Sequence, residues 1–338
     1  MASQTSTSAS TVNLLAYLRL KSSIDYDCLD PKRSLVRLWT WETYAQLCKP
    51  QNSTLLEKSM TLARQLQADF LDVSVEELAV EIAMISLSLG VVPFISGSIH
   101  VMCNPLYSWD IDKVFETGHR FHKICHVLDP TFDLSRLIMK VPATWEGLQA
   151  CSRLTTDGIK TLATTLFTME QVILAGEAGC VSISPFAHEL RAHLDTSYHD
   201  SEPILDLFLR AQQYYKQHGI PTKVKSCAFM TTDEIISIAG VDAMTLPAEV
   251  LEELSSMTDV QERLEARSVF HRAAQTSSVH PAALTQLSYI NDKVKFNRAY
   301  TTNRRGKAKT EDAIAVFCGF QTQLEALMTM PGPSRPKL

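Results

Sequence analysis

The chain lacks the usual signatures of phosphate cradles and serine nucleophiles. Its 12 glycines are scattered over 338 residues. None is grouped into a Gly-rich phosphate loop, and no Ser/His/Asp ordering with a nucleophile elbow occurs. Arg305-Gly-Lys-Ala-Lys-Thr lacks the leading glycine of a Walker loop. Excess charge is also missing: 32 basic against 37 acidic residues leave a net charge of -5. This gives no electrostatic footprint for nucleic acid or a membrane surface. We read no uninterrupted apolar run as long enough to cross a bilayer. The eight cysteines form no Cys-x-x-Cys pair. They suit reduced core thiols better than a disulfide framework or a zinc site, and no metal or cofactor is expected.

The N-terminus has no basic-then-apolar signal pattern. Residues 1–12 read as a disordered tail, 13–330 as one domain and 331–338 as a mobile tail. The chain ends in Pro-Lys-Leu, which misses the first position of the peroxisomal Ser-Lys-Leu address. A cytoplasmic protein is expected.

With 45% hydrophobic residues there is enough for a large core. Short apolar segments alternate with longer amphipathic ones, the pattern of βα units on a parallel sheet. Eight strands are expected: Ile24–Cys28, Leu47–Pro50, Ser98–Cys103, Leu137–Val141, Lys160–Thr164, Cys180–Ser184, Lys223–Ala228 and Ala243–Leu246. Eight is the number that closes a (β/α)8 TIM barrel, here with additional C-terminal helices. Helices are expected over Ser53–Asp69, Pro203–His218 and Thr232–Ala239, the last two ended by Gly219 and Gly240. The basic run Thr301–Lys309 reads as a solvated loop.

The run Leu137-Ile-Met-Lys-Val-Pro-Ala-Thr-Trp-Glu-Gly-Leu-Gln-Ala150 carries the chemistry. It is an apolar strand with Lys140 in its middle, followed by a helix start capped by Thr144. A charged lysine buried there is costly. A desolvated amine falls below its ordinary value of about 10.4 and becomes a candidate Schiff-base nucleophile. Period-2 alternation puts Lys140 on one face with Ile138 and Pro142. The same rule groups Asp25 with Asp27, His100 with Met102, Leu162 with Thr164, and Ser182 with Ser184.

The run around Lys140 resembles the transaldolase family, whose Schiff-base lysine lies in a Leu-Ile-Lys-(Leu/Ile)-Ala-Ser-Thr-Trp-Glu-Gly segment. The resemblance extends from about Ser23 to about Leu327, strongly only in patches. It implies roles for further residues. Asp27 would carry the proton of the substrate hydroxyl, Asn52 would bond a substrate oxygen, and Thr164 would hold the catalytic water. Ser184 and Phe186, in Ile-Ser-Pro-Phe, would line the site. The partner is then a small-molecule carbonyl substrate, and a homodimer is implied.

The chain also departs from the family. Met102 stands where a proton-moving glutamate is expected, and His100, on the same face, is a candidate replacement base with an imidazole near neutrality. Leu162 replaces an asparagine. The two phosphate-gripping arginines fall on Glu189 and Met230. Losing two such contacts costs about 3–6 kcal/mol. Lys223, Lys225 and Arg191 are possible compensations that spacing alone does not support.

The leading expectation is a Schiff-base enzyme that makes or breaks a C–C bond beside a carbonyl, on an unphosphorylated and more apolar substrate of specialised metabolism. A true transaldolase moving a dihydroxyacetone unit between sugar phosphates is the alternative, and a catalytically silent binding barrel is a third. His119, His122 and His126 have a helical spacing that could hold a metal, but read as a solvated face. His188 and His193 read as surface residues.

Overall fold

The computed structural model describes residues 10–26, 40–276 and 285–330. Its described strands are β1 (Thr11–Asn13), β2 (Ser23–Tyr26), β3 (Ile99–Met102), β4 (Leu137–Pro142), β5 (Lys160–Leu166), β6 (Ser182–Pro185), β7 (Lys223–Ser226), β8 (Ala243–Leu246) and β9 (Thr258–Val260). Seven of them form one parallel sheet in the order β2-β8-β7-β6-β5-β4-β3. The short β1 and β9 pair antiparallel outside it. Helices follow the sheet strands, so sequential strands become parallel neighbours through crossovers.

The sheet is rolled. The charge of Lys225 on β7 reaches the imidazole of His100 on β3, four strands away along the ladder. A flat sheet would hold those strands roughly 19 Å apart. This is the (β/α)8 type of architecture, with extra helices at the C-terminal end.

The expected second strand is absent from the sheet. Leu47 ends the helix Thr40–Leu47, and Pro50 opens a 3-10 turn, Pro50–Asn52. Proline cannot donate to a ladder, and its fixed φ suits the first position of a helical turn. Among the described residues β2 and β3 therefore remain edges.

The strands build two environments. Ile99, Val101, Leu137, Met139, Val141, Ala163, Ile183, Val224, Met244 and Leu246 enter the main apolar core between sheet and helices. Their alternate neighbours, including Lys140 and Lys225, face the lumen. The helix ends at Thr144 and Gly219 follow the expected chemistry. Thr144 accepts from the Gly147 N–H at 2.9 Å and starts the helix Trp145–Thr156. Gly219 (φ +64°) takes a left-handed conformation directly after the His218 cap of helix Leu205–Gln217, whereas the helix expected to run to Gly240 ends at Ser237, capped by Ile238, two residues before that glycine (φ +114°).

Four sequence expectations are corrected here. By length and composition the segment Val75–Phe94 could cross a bilayer. In the fold it packs against the helices Ser53–Leu66, Ile111–Leu128 and Arg304–Thr329. Glu81 inside it accepts two hydrogen bonds from Arg120, at 2.6 and 2.7 Å. The basic run 301–309 is helical rather than a loop. Asn303 caps a helix over Arg304–Thr329, and Lys309 is 3% exposed, bonded to Asp200 at 2.7 Å. A Cβ on Gly306 would lie 2.4 Å from Thr168, so this helix approaches the barrel closely. His188 is also buried, bonding Glu234 at 2.9 Å. His119 meets Asp157 at 2.9 Å and His126 is exposed, but His122 turns its Nε2 inward, buried and without a partner among the described residues, so the solvated-face expectation fails for it.

Candidate active site

Strand register brings the predicted lysine between two of the family departures. Met102, Lys140 and Leu162 lie side by side across β3, β4 and β5. Pro142 and Thr164 form the next lumen-facing pair toward the strand ends, and His100 and Ile138 the previous one. Lys140 is half-buried, whereas its outward neighbours Met139 and Val141 are fully packed. The alternation expected from the sequence is the one observed.

Thr164 is buried beside a strained residue. Thr165 has φ +51°, where the β5–β6 register shifts. For a β-branched residue this costs about 1–3 kcal/mol. The bulge re-aims the end of the strand. Gln171 holds it from behind: its side-chain amide donates to Ala143 O at 2.9 Å, to Thr165 O at 3.4 Å and to Thr310 Oγ1 at 3.2 Å. A second strained residue, Ala228 (φ +62°), follows β7. Neither the strain nor the part of Gln171 was foreseen. The Thr168-x-x-Gln171 capping box was the available signal.

Phe186 joins Phe167, Leu190, Cys227, Ala313 and Phe317 in a second apolar cluster separate from the main core. Met102, Val316 and Phe320 pack on it, so the C-terminal helix contributes an apolar cover next to the lysine row. Ser184 lies under this cluster, its hydroxyl 3.2 Å from Cys227 Sγ. Asn52 turns its amide back to the preceding helix and donates to Gln46 O at 2.7 Å. Asp27 falls outside the described residues. Met230 is 47% exposed on the loop after β7.

Beside the former arginine position at Glu189 stands Arg191, its guanidinium 4.5 Å from the centroid of the Tyr198 ring. The Glu189 carboxylate accepts from the Tyr198 hydroxyl. Burial and then the Glu189 charge raise the Asp312 carboxyl above its ordinary range. Arg191 is 59% exposed and pairs with Asp195. Lys223 is exposed and pairs with Asp242. Lys225 alone of the three candidates turns into the lumen, where its ammonium meets Asp25 at 2.6 Å.

His100 differs from its expectation. Burial, then the charges of Lys225 and Lys140, pushes its imidazole well below the ordinary value of 6.5. It stands neutral in the fold rather than poised near neutrality. Its Nε2 is buried and without a hydrogen-bond partner among the described residues. The unfolded chain takes up this proton near pH 6.5 and the folded chain does not, so stability is full above that pH and falls as pH drops below it. The loss approaches about 1.4 kcal/mol per pH unit for one group. Urea midpoints at pH 7.5 and 5.5 test this, with His100→Gln expected to flatten the slope. Burial and His119 lower His122 as well, so some slope should remain. An unchanged slope in the variant would remove His100 from the account.

The family model for transaldolase/fructose-6-phosphate aldolase matches residues 47–304, most of the chain. The chain belongs to that family. It is 30% identical over 228 residues to a transaldolase of Shewanella pealeana, covering 65% of this chain and 70% of that protein. It is 27% identical over 301 residues to the transaldolase NQM1 of Saccharomyces cerevisiae, covering 82% and 86%. A transaldolase of Fusarium oxysporum f. sp. lycopersici is 27% identical over 287 residues, covering 83% and 84%. Membership of the family makes this chain an aldolase- or transaldolase-type enzyme.

Proposed function

We propose that the protein is a Schiff-base aldolase or transaldolase-type enzyme whose substrate is an unphosphorylated carbonyl compound with an apolar substituent. The observation that carries this reading is the Met102–Lys140–Leu162 row, with Met102 packed on the second apolar cluster. Lys140 adds to the carbonyl and loses water, and the iminium draws electrons from the adjacent C–C bond. Thr164 positions the water that later hydrolyses the imine. His100, as a neutral imidazole, relays protons where the family glutamate is replaced by Met102. Asp27 keeps its role as carrier of the hydroxyl proton, and Ser184 and Phe186 line the approach. Asn52 serves a substrate oxygen once its amide leaves Gln46.

Glu189 and Asp312, with Arg191 only partly offsetting them, work against a phosphate at the first of the old arginine positions. Borohydride reduction with a panel of unphosphorylated aldehydes and ketones is expected to attach mass at Lys140. A coupled assay with fructose 6-phosphate and erythrose 4-phosphate should give little turnover. Efficient turnover there would return the reading to a true transaldolase, and no labelling of Lys140 by any carbonyl would favour a silent binding barrel.

A further inference from the structure

The lumen contains polar groups that neither the family pattern nor the lysine row explains. Lys225 on β7 and Asp25 on β2 meet at 2.6 Å. Ser182 on β6 is 1% exposed, and its Oγ has no hydrogen-bond partner among the described residues. The same is true of His100 Nε2 on β3. All four positions lie on the lumen side, because Ile24, Val101, Ile183 and Val224 between them pack outward into the main core. Ser182 is directly paired with Leu162, which is paired with Lys140. The β6–β7–β2 wall of the lumen is therefore polar, with Ser182 Oγ unbonded and His100 facing from β3, while Met102, Leu162 and the second cluster make the β3–β5 side mainly apolar.

Buried polar atoms normally have partners, and unpaired ones call for a ligand or water. The charges set which ligand. An ammonium has three donors, and Asp25 accepts from one on Lys225. Lys140 on β4 is the second lysine of the lumen. Burial first, and then the charges of both lysines, depress His100, so Lys225, Lys140 and His100 share one region of the lumen. A hydroxyl, an imidazole N–H and an ammonium are donors, suited to a small planar anion. A phosphate, larger and doubly charged, would ask for more donors than this wall offers.

Resting on the Schiff-base reading of Lys140, we propose that Lys225, Ser182 and His100 bind the carboxylate of a 2-oxo acid whose keto carbon is the one Lys140 attacks. The reaction class follows. Lys140 Nζ adds to C2 of a 4-hydroxy-2-oxo acid and water leaves, giving the iminium. A base takes the C4 hydroxyl proton, the C3–C4 bond breaks, and its electron pair moves to the iminium nitrogen as an enamine. C4 departs as an aldehyde along the apolar wall. The enamine takes a proton at C3, and water hydrolyses the imine to release the shorter 2-oxo acid. Condensation is the reverse.

The test is borohydride trapping on the full chain with pyruvate and, separately, dihydroxyacetone, read by peptide mass spectrometry at Lys140. Pyruvate is expected to label Lys140. Lys225→Met should raise its half-saturating concentration at least about 10-fold more than that of dihydroxyacetone. Ser182→Ala should shift the same ratio by a few-fold. Because Lys225→Met strands Asp25, the double variant Asp25→Asn/Lys225→Met, which leaves no unpaired charge, must give the same ratio. Labelling by dihydroxyacetone but not pyruvate overturns the carboxylate site and leaves the Schiff-base reading standing. Equal shifts for both compounds would make Lys225 a structural residue and also overturn it. Labelling by neither, nor by any other carbonyl, removes both.

Discussion

Lys140→Met is expected to lower turnover of any carbonyl substrate by about 10^4-fold or more, and to abolish borohydride labelling of that peptide. The side chain is nearly conserved in volume, so the row with Met102 and Leu162 should still pack. What disappears is the nitrogen that becomes the electron sink. Lys140→Arg should be just as inactive, since a guanidinium keeps the charge but does not shed its proton to attack. Far-ultraviolet circular dichroism and a cooperative urea transition should match those of the parent. Activity within about tenfold of the parent in either variant would exclude imine formation at this residue.

Lys309→Met is expected to destabilise the fold by roughly 2–4 kcal/mol, because it removes the nearest cation from a buried carboxylate and leaves the part-exposed Arg305, at 3.6 Å, as its remaining guanidinium partner. Asp200 is fully buried. Its burial would raise the carboxyl, but the Lys309 hydrogen bond, with the backbone N–H groups of Glu202 and Glu189, outweighs this and holds it below its ordinary range. The stabilisation is thus present above the unfolded value of about 3.8 and is lost as pH falls through the lower folded value. Lys309 also donates to Glu202 O at 2.9 Å, tying the C-terminal helix to the loop after β6. That helix carries Ala313, Val316, Phe317 and Phe320 over the lysine row, so its loosening should also increase proteolysis near the C-terminus. Adding Asp200→Asn to Lys309→Met should recover part of the loss. A shift under about 0.5 kcal/mol in the urea midpoint would mean that solvent replaces the pair.

Legibility depended on whether a signal was local. Lys140 was readable because one charged residue interrupts Leu137–Val141 and a helix cap follows within four positions. Alternation along β3, β4 and β5 then put His100, Met102, Leu162 and Thr164 on one side without any long-range information. The helix end at Gly219 was readable for the same reason, since a positive φ is a local requirement, whereas Thr232–Ser237 stops short of Gly240. Leu47–Pro50 was not legible as a helix end because a short apolar segment has no period, and only its proline, unable to donate to a ladder, speaks against a strand. The basic run 301–309 misled because polarity alone does not distinguish a loop from a helix whose lysine finds a buried partner 109 residues away.

By itself the sequence determined the βα alternation, the nucleophile candidate and the side of each strand that meets it, all consequences of chain geometry over a few residues. Only the tertiary structure decided that Lys225 reaches Asp25, that His100 stays neutral, that His188 is interior, and that the last long helix covers the lysine row. The first two depend on the rolled sheet, which brings side chains of separate strands together across the lumen, and the last two on loops and helices packing at the strand ends.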